Sequence, residues 1–170
     1  MKKGWLIIAV LTLVAVLPTM TGCDKQTSGK TGFNLIFKYG VTAKNELDTF
    51  KGTYTKDMVA DPSITIKLPL SEEEMNNIYQ KMVEIDFFSY PEAFKVTVPA
   101  DELTSMVTPF SSYYFMVEYN SQIKKLSWAD DVTNPDEKAA KLRELIKLIK
   151  SIIESREEYK KLPEPKSGYL

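Results

Sequence analysis

The chain has 170 residues, of which 44% are hydrophobic and 26% charged, and its formal net charge is −1. This composition is that of a globular protein with one domain of ordinary size, and it excludes a fully disordered, collagen-like or multi-span membrane chain. The chain has no histidine and one cysteine. It therefore cannot form an internal disulfide, a His/Cys zinc site or a histidine-based catalytic triad.

The N-terminal residues have the parts of a secretory signal. Two lysines precede an apolar run at residues 5–17, and Pro18 ends that run. The run is shorter than the roughly 20 residues that a transmembrane helix needs, and it matches the apolar region of a signal peptide. We therefore predict a signal peptide over residues 1–22.

This signal ends in the sequence Met20-Thr21-Gly22-Cys23. It resembles the lipobox of bacterial lipoproteins, a family in which the cysteine is joined to diacylglycerol and the signal is cut just before it. The resemblance covers only the N-terminus. It implies a diacylglyceryl group on Cys23, with or without an N-acyl chain, and an extracytoplasmic protein anchored in the cell membrane, since two or more acyl chains anchor firmly. The alternatives are an uncleaved anchor helix, or a conventional signal with a buried cysteine.

Residues 23–32 are predicted to be a flexible tether. After Cys23 they contain no hydrophobic residue and are rich in Gly, Ser and Thr, a composition typical of flexible coils. No repeat or second composition zone follows, so we predict a single domain over residues 33–170. The nearly balanced charge lacks the basic excess of nucleic-acid-binding proteins, so we predict no nucleic-acid partner.

The first part of the domain predicts three strands and a helix. Alternating apolar residues indicate a strand at 33–39, a Thr/Phe/Tyr-rich strand at 48–56, and a third strand at 64–68. Ser71 is a candidate N-cap, and Glu74 completes a capping box. The apolar residues that follow repeat at helical spacing.

Residues 87–110 are predicted to form a loop, with a short strand at 95–98, because they contain three prolines and little periodicity. The segment and the strand after it are rich in aromatic residues, which anchor many protein interfaces. The alternative is that these rings complete the core of a small domain, and the sequence leaves both open. The candidate binding residues are Phe87, Phe88, Tyr90, Phe94, Phe110 and Tyr114, of which Tyr114 is expected to point away from the core.

The last part predicts a hairpin and a long helix. Strands at 113–119 and 123–128 flank Asn120-Ser121, and Asn134 with Pro135 is expected to begin a helix with one apolar stripe. Short turns between adjacent strands favour antiparallel pairing. We therefore expect an α+β two-layer sandwich, with a mainly antiparallel sheet of about five strands covered by two amphipathic helices.

Acidic residues before the last helix give a weak metal hypothesis. Asp130 and Asp131 could offer oxygen ligands to Ca²⁺, but the alternative is that acids here complement the helix N-terminus. No other cofactor is expected besides the lipid on Cys23.

The functional prediction is a non-catalytic lipoprotein that contacts the membrane through its anchor and binds a protein, peptide or envelope component. In this respect the domain resembles small bacterial envelope lipoproteins. Two alternatives stay open. One is a carboxylate-based hydrolase or Ca²⁺-dependent module, and the other is an inhibitor-like or immunity-like protein with one partner.

Overall fold

The computed structural model describes residues 32–169. The predicted signal peptide over residues 1–22, the lipidation site Cys23 and all but the last residue of the predicted tether lie outside these described residues.

The domain begins with a meander of four antiparallel strands. Their bounds are β1 Asn34–Tyr39, β2 Asn45–Asp48, β3 Thr53–Met58 and β4 Asp61–Lys67. The predicted strand over 48–56 is wrong in its middle, because residues 49–52 form the turn between β2 and β3. The Asp48 carboxylate accepts a hydrogen bond from the Lys51 N–H at 3.1 Å and closes this turn, and Gly52 has a positive φ of 61°.

The first helix begins as its sequence predicts. Helix α1 spans Glu72–Glu84, and the Ser71 and Glu74 side chains form both hydrogen bonds of a capping box. A 3₁₀ turn at Phe87–Ser89 follows, and then strand β5, Ala93–Phe94. This short strand lies two residues before the predicted one at 95–98.

A hairpin and a long helix complete the domain. Strands β6, Ser112–Tyr119, and β7, Gln122–Ala129, flank a turn in which Asn120 and Ser121 both have positive φ, as expected of a tight hairpin turn. Helix α2 spans Glu137–Ser155 and helix α3 spans Glu157–Lys160.

The N-cap of α2 is Asp136, so the predicted cap at Asn134 is wrong. The Asp136 carboxylate accepts the Ala139 N–H at 2.7 Å. The Asn134 side chain is bonded elsewhere, to the backbone of Leu103 and Ser105.

The α+β architecture is confirmed, with a larger sheet than predicted. Seven strands lie in the order β4-β3-β2-β1-β6-β7-β5. All pairs are antiparallel except β5 with β7, which makes the sheet mixed. Inward residues of the strands and apolar residues of both long helices form one core cluster, including Leu35, Phe37, Phe115, Leu126, Ile78, Met82, Leu142 and Ile149. On β1, the residues that alternate with the buried ones are half-buried.

Candidate functional site

The two ends of the sheet differ in what lies against them. At one end, which we call the entry end, a Cβ placed on Gly32 would lie 3.8 Å from the backbone nitrogen of Asn120. The chain therefore enters the domain beside the β6–β7 turn. Tyr79 of α1 contacts Phe33 and Tyr119 at this end.

The opposite end, which we call the far end, is where β1 and β7 finish and β6 starts. Helix α2 crosses it. Its Arg143 guanidinium lies 5.3 Å from the Trp128 ring, and its Lys150 ammonium lies 5.6 Å from the Tyr39 ring. The two ends are separated by the length of β6, whose eight residues span about 24 Å at the usual rise per residue. Whatever lies at the far end is thus held away from the point where the chain enters.

An exposed aliphatic segment lies at the far end. We call residues 103–107 the aliphatic loop, because Leu103 is 93% exposed, Met106 is 66% exposed and Val107 is also exposed. Contiguous exposed apolar patches mark sites of contact with a protein or a membrane. The loop follows the short edge strand β5 and precedes β6.

The backbone of the aliphatic loop is fixed against the segment that leads into α2. Met106 forms a β-bridge with Val132. The Val107 N–H donates to the Asp131 carbonyl at 2.9 Å, and the Thr133 N–H donates to the Ser105 carbonyl at 2.8 Å. Backbone pairing of this kind limits the conformations that the loop can adopt, so its aliphatic side chains are presented with a reduced entropic cost of binding.

A cavity of about 540 Å³ lies next to this loop. Phe94, Val96, Tyr113, Trp128 and Val132 supply its apolar lining. The volume falls within the range of sites that hold a small ligand or an inserted side chain. The indole N–H of the buried Trp128 meets no acceptor among the described residues.

Three of the predicted binding aromatics belong to the core. Phe87, Tyr90 and Phe94 are buried, which agrees with the core alternative and removes them from any surface that a partner could touch. The Tyr90 hydroxyl donates to the Lys138 carbonyl at 3.1 Å. Burial raises the pKa of Tyr90 to about 12, and nearby acids add to this effect.

The other three aromatics lie apart from one another. Phe88 is exposed and contacts Tyr79 and Tyr119 at the entry end. Tyr114 is half-buried and pairs in register with Lys38 and Ser127, and Phe110 is half-buried in the segment before β6. The structure therefore does not bring the six predicted residues together into one surface.

The acidic pair before α2 is divided between two structural roles. Both Asp130 carboxylate oxygens accept hydrogen bonds from Arg143, from Nε at 3.1 Å and from Nη2 at 2.6 Å. This hydrogen bonding raises the pKa of Arg143 further. The Asp131 carbonyl binds Val107. Within residues 32–169, no group of three or more Asp, Glu, Cys or His side chains is placed to hold a metal ion.

Sequence reasoning missed the residues that are most exposed at the far end. Leu103, Met106 and Val107 stand among polar residues and follow no period, so neither a strand nor a helix pattern identifies them. Their exposure depends on the long-range pairing with residues 131–134, which no local signal reveals.

Comparisons with known proteins assign no family to the chain. No protein-family model matches it, and a search of curated proteins found no match. Within the described part of the chain, no helix is both long and apolar enough to span a bilayer.

Proposed function

We propose that the protein is a lipid-anchored extracytoplasmic lipoprotein whose domain is a non-catalytic binding module. Its partner is a protein with an apolar pocket that receives the aliphatic loop. The observation that carries this proposal is the exposure of Leu103, Met106 and Val107 on a loop whose backbone is paired to residues 131–134.

The position of the loop supports a partner other than the anchoring bilayer. Gly32 lies at the entry end and the aliphatic loop lies at the far end. A lipid on Cys23 would connect to the domain through the entry end. A loop at the other end of the sheet is then placed to meet something beyond the membrane surface.

The chemistry of the loop supports an aliphatic contact. Its flanking acids Asp101 and Glu102 are both exposed, and like charge disfavours an anionic lipid surface. Apolar side chains at the centre of an interface with charges at its rim are the usual arrangement in protein complexes. A single fixed loop fits one partner with a matching pocket, which is the inhibitor-like form of this proposal.

A photo-crosslinking experiment in the native cells tests the docking surface. A photoreactive residue at Met106 is compared with one at Ile123, which is 62% exposed but lies next to the entry-end turn. We expect one discrete crosslinked partner from position 106 and not from position 123. In a third strain, Leu103→Ser and Val107→Ser together should reduce that product at least tenfold.

Equal crosslinking from both positions contradicts the proposal that the aliphatic loop is the docking surface. A crosslinked product that survives the two serine substitutions contradicts it too. The anchor has its own test, because Cys23→Ala should move the processed protein from the membrane fraction to the soluble fraction. Retention of the processed variant in the membrane contradicts the lipid anchor.

A further inference from the structure

A second group of polar residues is buried on β3, away from the aliphatic loop. The register between β3 and β4 shifts between Lys56 and Met58, and Lys56, Asp57 and Met58 are all buried. A strand that alternated regularly would expose the middle residue of the three. The bulge therefore places an ammonium and a carboxylate side by side in the interior.

Hydrogen bonds within the domain fix the side chains around this pair. We call Lys56, Asp57 and their polar neighbours Tyr39, Asn45 and Tyr54 the wall. Asn45 Oδ1 accepts from the Asp57 backbone N–H at 3.0 Å and from the Tyr54 hydroxyl at 3.3 Å. The Tyr54 and Tyr39 hydroxyls lie 2.7 Å apart. Burial raises the pKa of both tyrosines well above the usual range, so they offer neutral hydroxyl groups. They border a cleft of about 320 Å³, which is also lined by Lys150 and Glu154 of α2 and by Glu164, Pro165 and Tyr169 of the C-terminal segment.

The C-terminal segment places two side chains on this wall. Glu164 Oε1 lies 3.0 Å from Lys56 Nζ. The Tyr169 hydroxyl donates to Asp57 Oδ2 at 2.5 Å and lies 2.9 Å from Thr42 Oγ1. The segment thus supplies one carboxylate to a fixed cation and one hydroxyl donor to a fixed carboxylate.

The two sides of the ion pair differ in their exposure. The Lys56 side chain is 6% exposed and the Glu164 side chain is 82% exposed. A buried ammonium needs a counter-charge, and among the described residues Glu164 is the only one within ion-pair distance of Lys56. The Lys56 ammonium is therefore paired while the Glu164 carboxylate stays hydrated.

The segment that carries Glu164 is weakly held. Between residues 163 and 169 no residue is buried, and the other ion pair of the segment, Lys166 with Asp61, is exposed at 3.3 Å. Exposed pairs of this kind add little stability. An occupant that supplies the same carboxylate and the same donor can therefore take the place of this segment on the wall.

We propose that the wall is a binding site for a peptide segment that carries a carboxylate and a hydrogen-bond donor, and that residues 164–169 are its intramolecular occupant. A carboxylate of the incoming peptide replaces Glu164 on Lys56, and a hydroxyl or N–H donor replaces Tyr169 on Asp57. The site shares no lining residue with the aliphatic loop, so it stands apart from the docking surface proposed above.

A peptide fits the wall better than a small acid does, because the present occupant contacts the wall at two points five residues apart. A covalently attached competitor acts at an effective concentration of about millimolar. Binding of an external peptide is therefore masked in the unaltered chain and is revealed when the internal contacts are weakened.

The test uses the full chain in detergent and a fluorescent synthetic peptide with the sequence of residues 161–169. Binding is measured by anisotropy to the unaltered chain and to the double variant Glu164→Gln, Tyr169→Phe. We expect the peptide to bind the double variant at least tenfold more tightly. Adding Lys56→Met to the double variant should abolish binding, and Glu157→Gln, an exposed glutamate on α3, should behave as the unaltered chain.

A second arm does not depend on the folding of the Lys56 variant. A peptide with glutamine in place of its glutamate should bind the double variant at least tenfold more weakly than the original peptide. Equal affinity for both peptides, or equal affinity of the peptide for the unaltered chain and the double variant, overturns the proposal. Displacement of the peptide by acetate at the same concentration as unlabelled peptide also overturns it, because the site would then hold any small carboxylate.

Discussion

The side-chain amide of Asn134 is hydrogen-bonded to the backbone of the aliphatic loop through both of its polar atoms. Its oxygen accepts the Ser105 N–H at 2.7 Å, and its nitrogen donates to the Leu103 carbonyl at 3.0 Å. A single side chain just before α2 thus helps to determine the conformation of a loop about thirty residues earlier in the chain.

Replacing this residue should loosen the loop without unfolding the domain. For Asn134→Ala we expect a loss of about 1 kcal/mol in the free energy of unfolding, since both lost hydrogen bonds are exposed to water. The amides of Ser105 and Val107 should exchange at least tenfold faster, because local opening becomes easier. Hydrogen exchange measures this, with Asn77→Ala on the exposed side of α1 as the control. Unchanged protection at Ser105 would show that the amide does not hold the loop.

The start of α2 shows where local sequence signals reach their limit. Asn134 and Asp136 are both good N-cap residues, and Pro135 between them is compatible with a start on either side. The choice is made by the loop at residues 103–105, which binds Asn134 and leaves Asp136 to cap the helix. By contrast, the capping box at Ser71 and the turn at Asn120-Ser121 are complete within four residues, and these were predicted correctly.

The buried pair on β3 could not be predicted for the same reason. Lys56 and Asp57 read as polar surface residues, because their burial depends on a strand irregularity and on Glu164, which lies 108 positions further along the chain. The candidate aromatic residues divide between two environments, because Phe87, Tyr90 and Phe94 fill the core whereas Phe88 and Tyr114 do not. A period of two residues identifies the buried face of a strand, and a period of 3.6 residues identifies that of a helix. The segment at residues 87–111 has neither period.

The pair of Arg143 with Asp130 should stabilise the far end. Arg143→Ala removes a bidentate contact and uncovers the ring of Trp128, so we expect a loss of about 1–2 kcal/mol in the free energy of unfolding. Arg143→Lys should recover only part of it, because an ammonium cannot reproduce the two parallel hydrogen bonds. Urea unfolding measures both variants.

The control for this pair is Lys147→Ala, an exposed lysine one turn further along α2, which should change the unfolding midpoint little. Asp130→Asn should destabilise the domain in the same direction as Arg143→Ala, and the double variant should cost less than the sum of the two single changes. Additive losses would mean that the two residues act independently.

Acid should destabilise the domain, whereas changes near neutral pH should not. Hydrogen bonds from Lys141, Lys81 and Lys160 lower the pKa of Glu137, Glu144 and Glu157 respectively below the usual 4.5. A lowered pKa in the folded state gives stability that is present above the unfolded value and is lost as pH falls below it.

We therefore expect the urea midpoint to stay constant between about pH 6 and 8, since no histidine titrates there, and to fall below about pH 4.5. High salt should reduce the acid effect, because these glutamates lie on the surface. Lys81→Met should reduce the drop further, since Lys81 binds Glu144 and Glu84. A urea midpoint that shifts between pH 6 and 8 would contradict the attribution of the pH dependence to these glutamates.

Alkali should unfold the domain through its buried tyrosines. Burial raises the pKa of Tyr39, Tyr54 and Tyr90 in the folded state. A raised pKa contributes stability that is complete below the unfolded value of about 10 and is lost as pH rises past it. Tyrosinate absorbance should therefore rise in two phases, the second coinciding with loss of the near-ultraviolet circular dichroism. In the double variant Tyr39→Phe, Tyr54→Phe the second phase should shrink by two tyrosines, and ionisation of all tyrosines before any loss of the circular dichroism would contradict the buried hydroxyl pair.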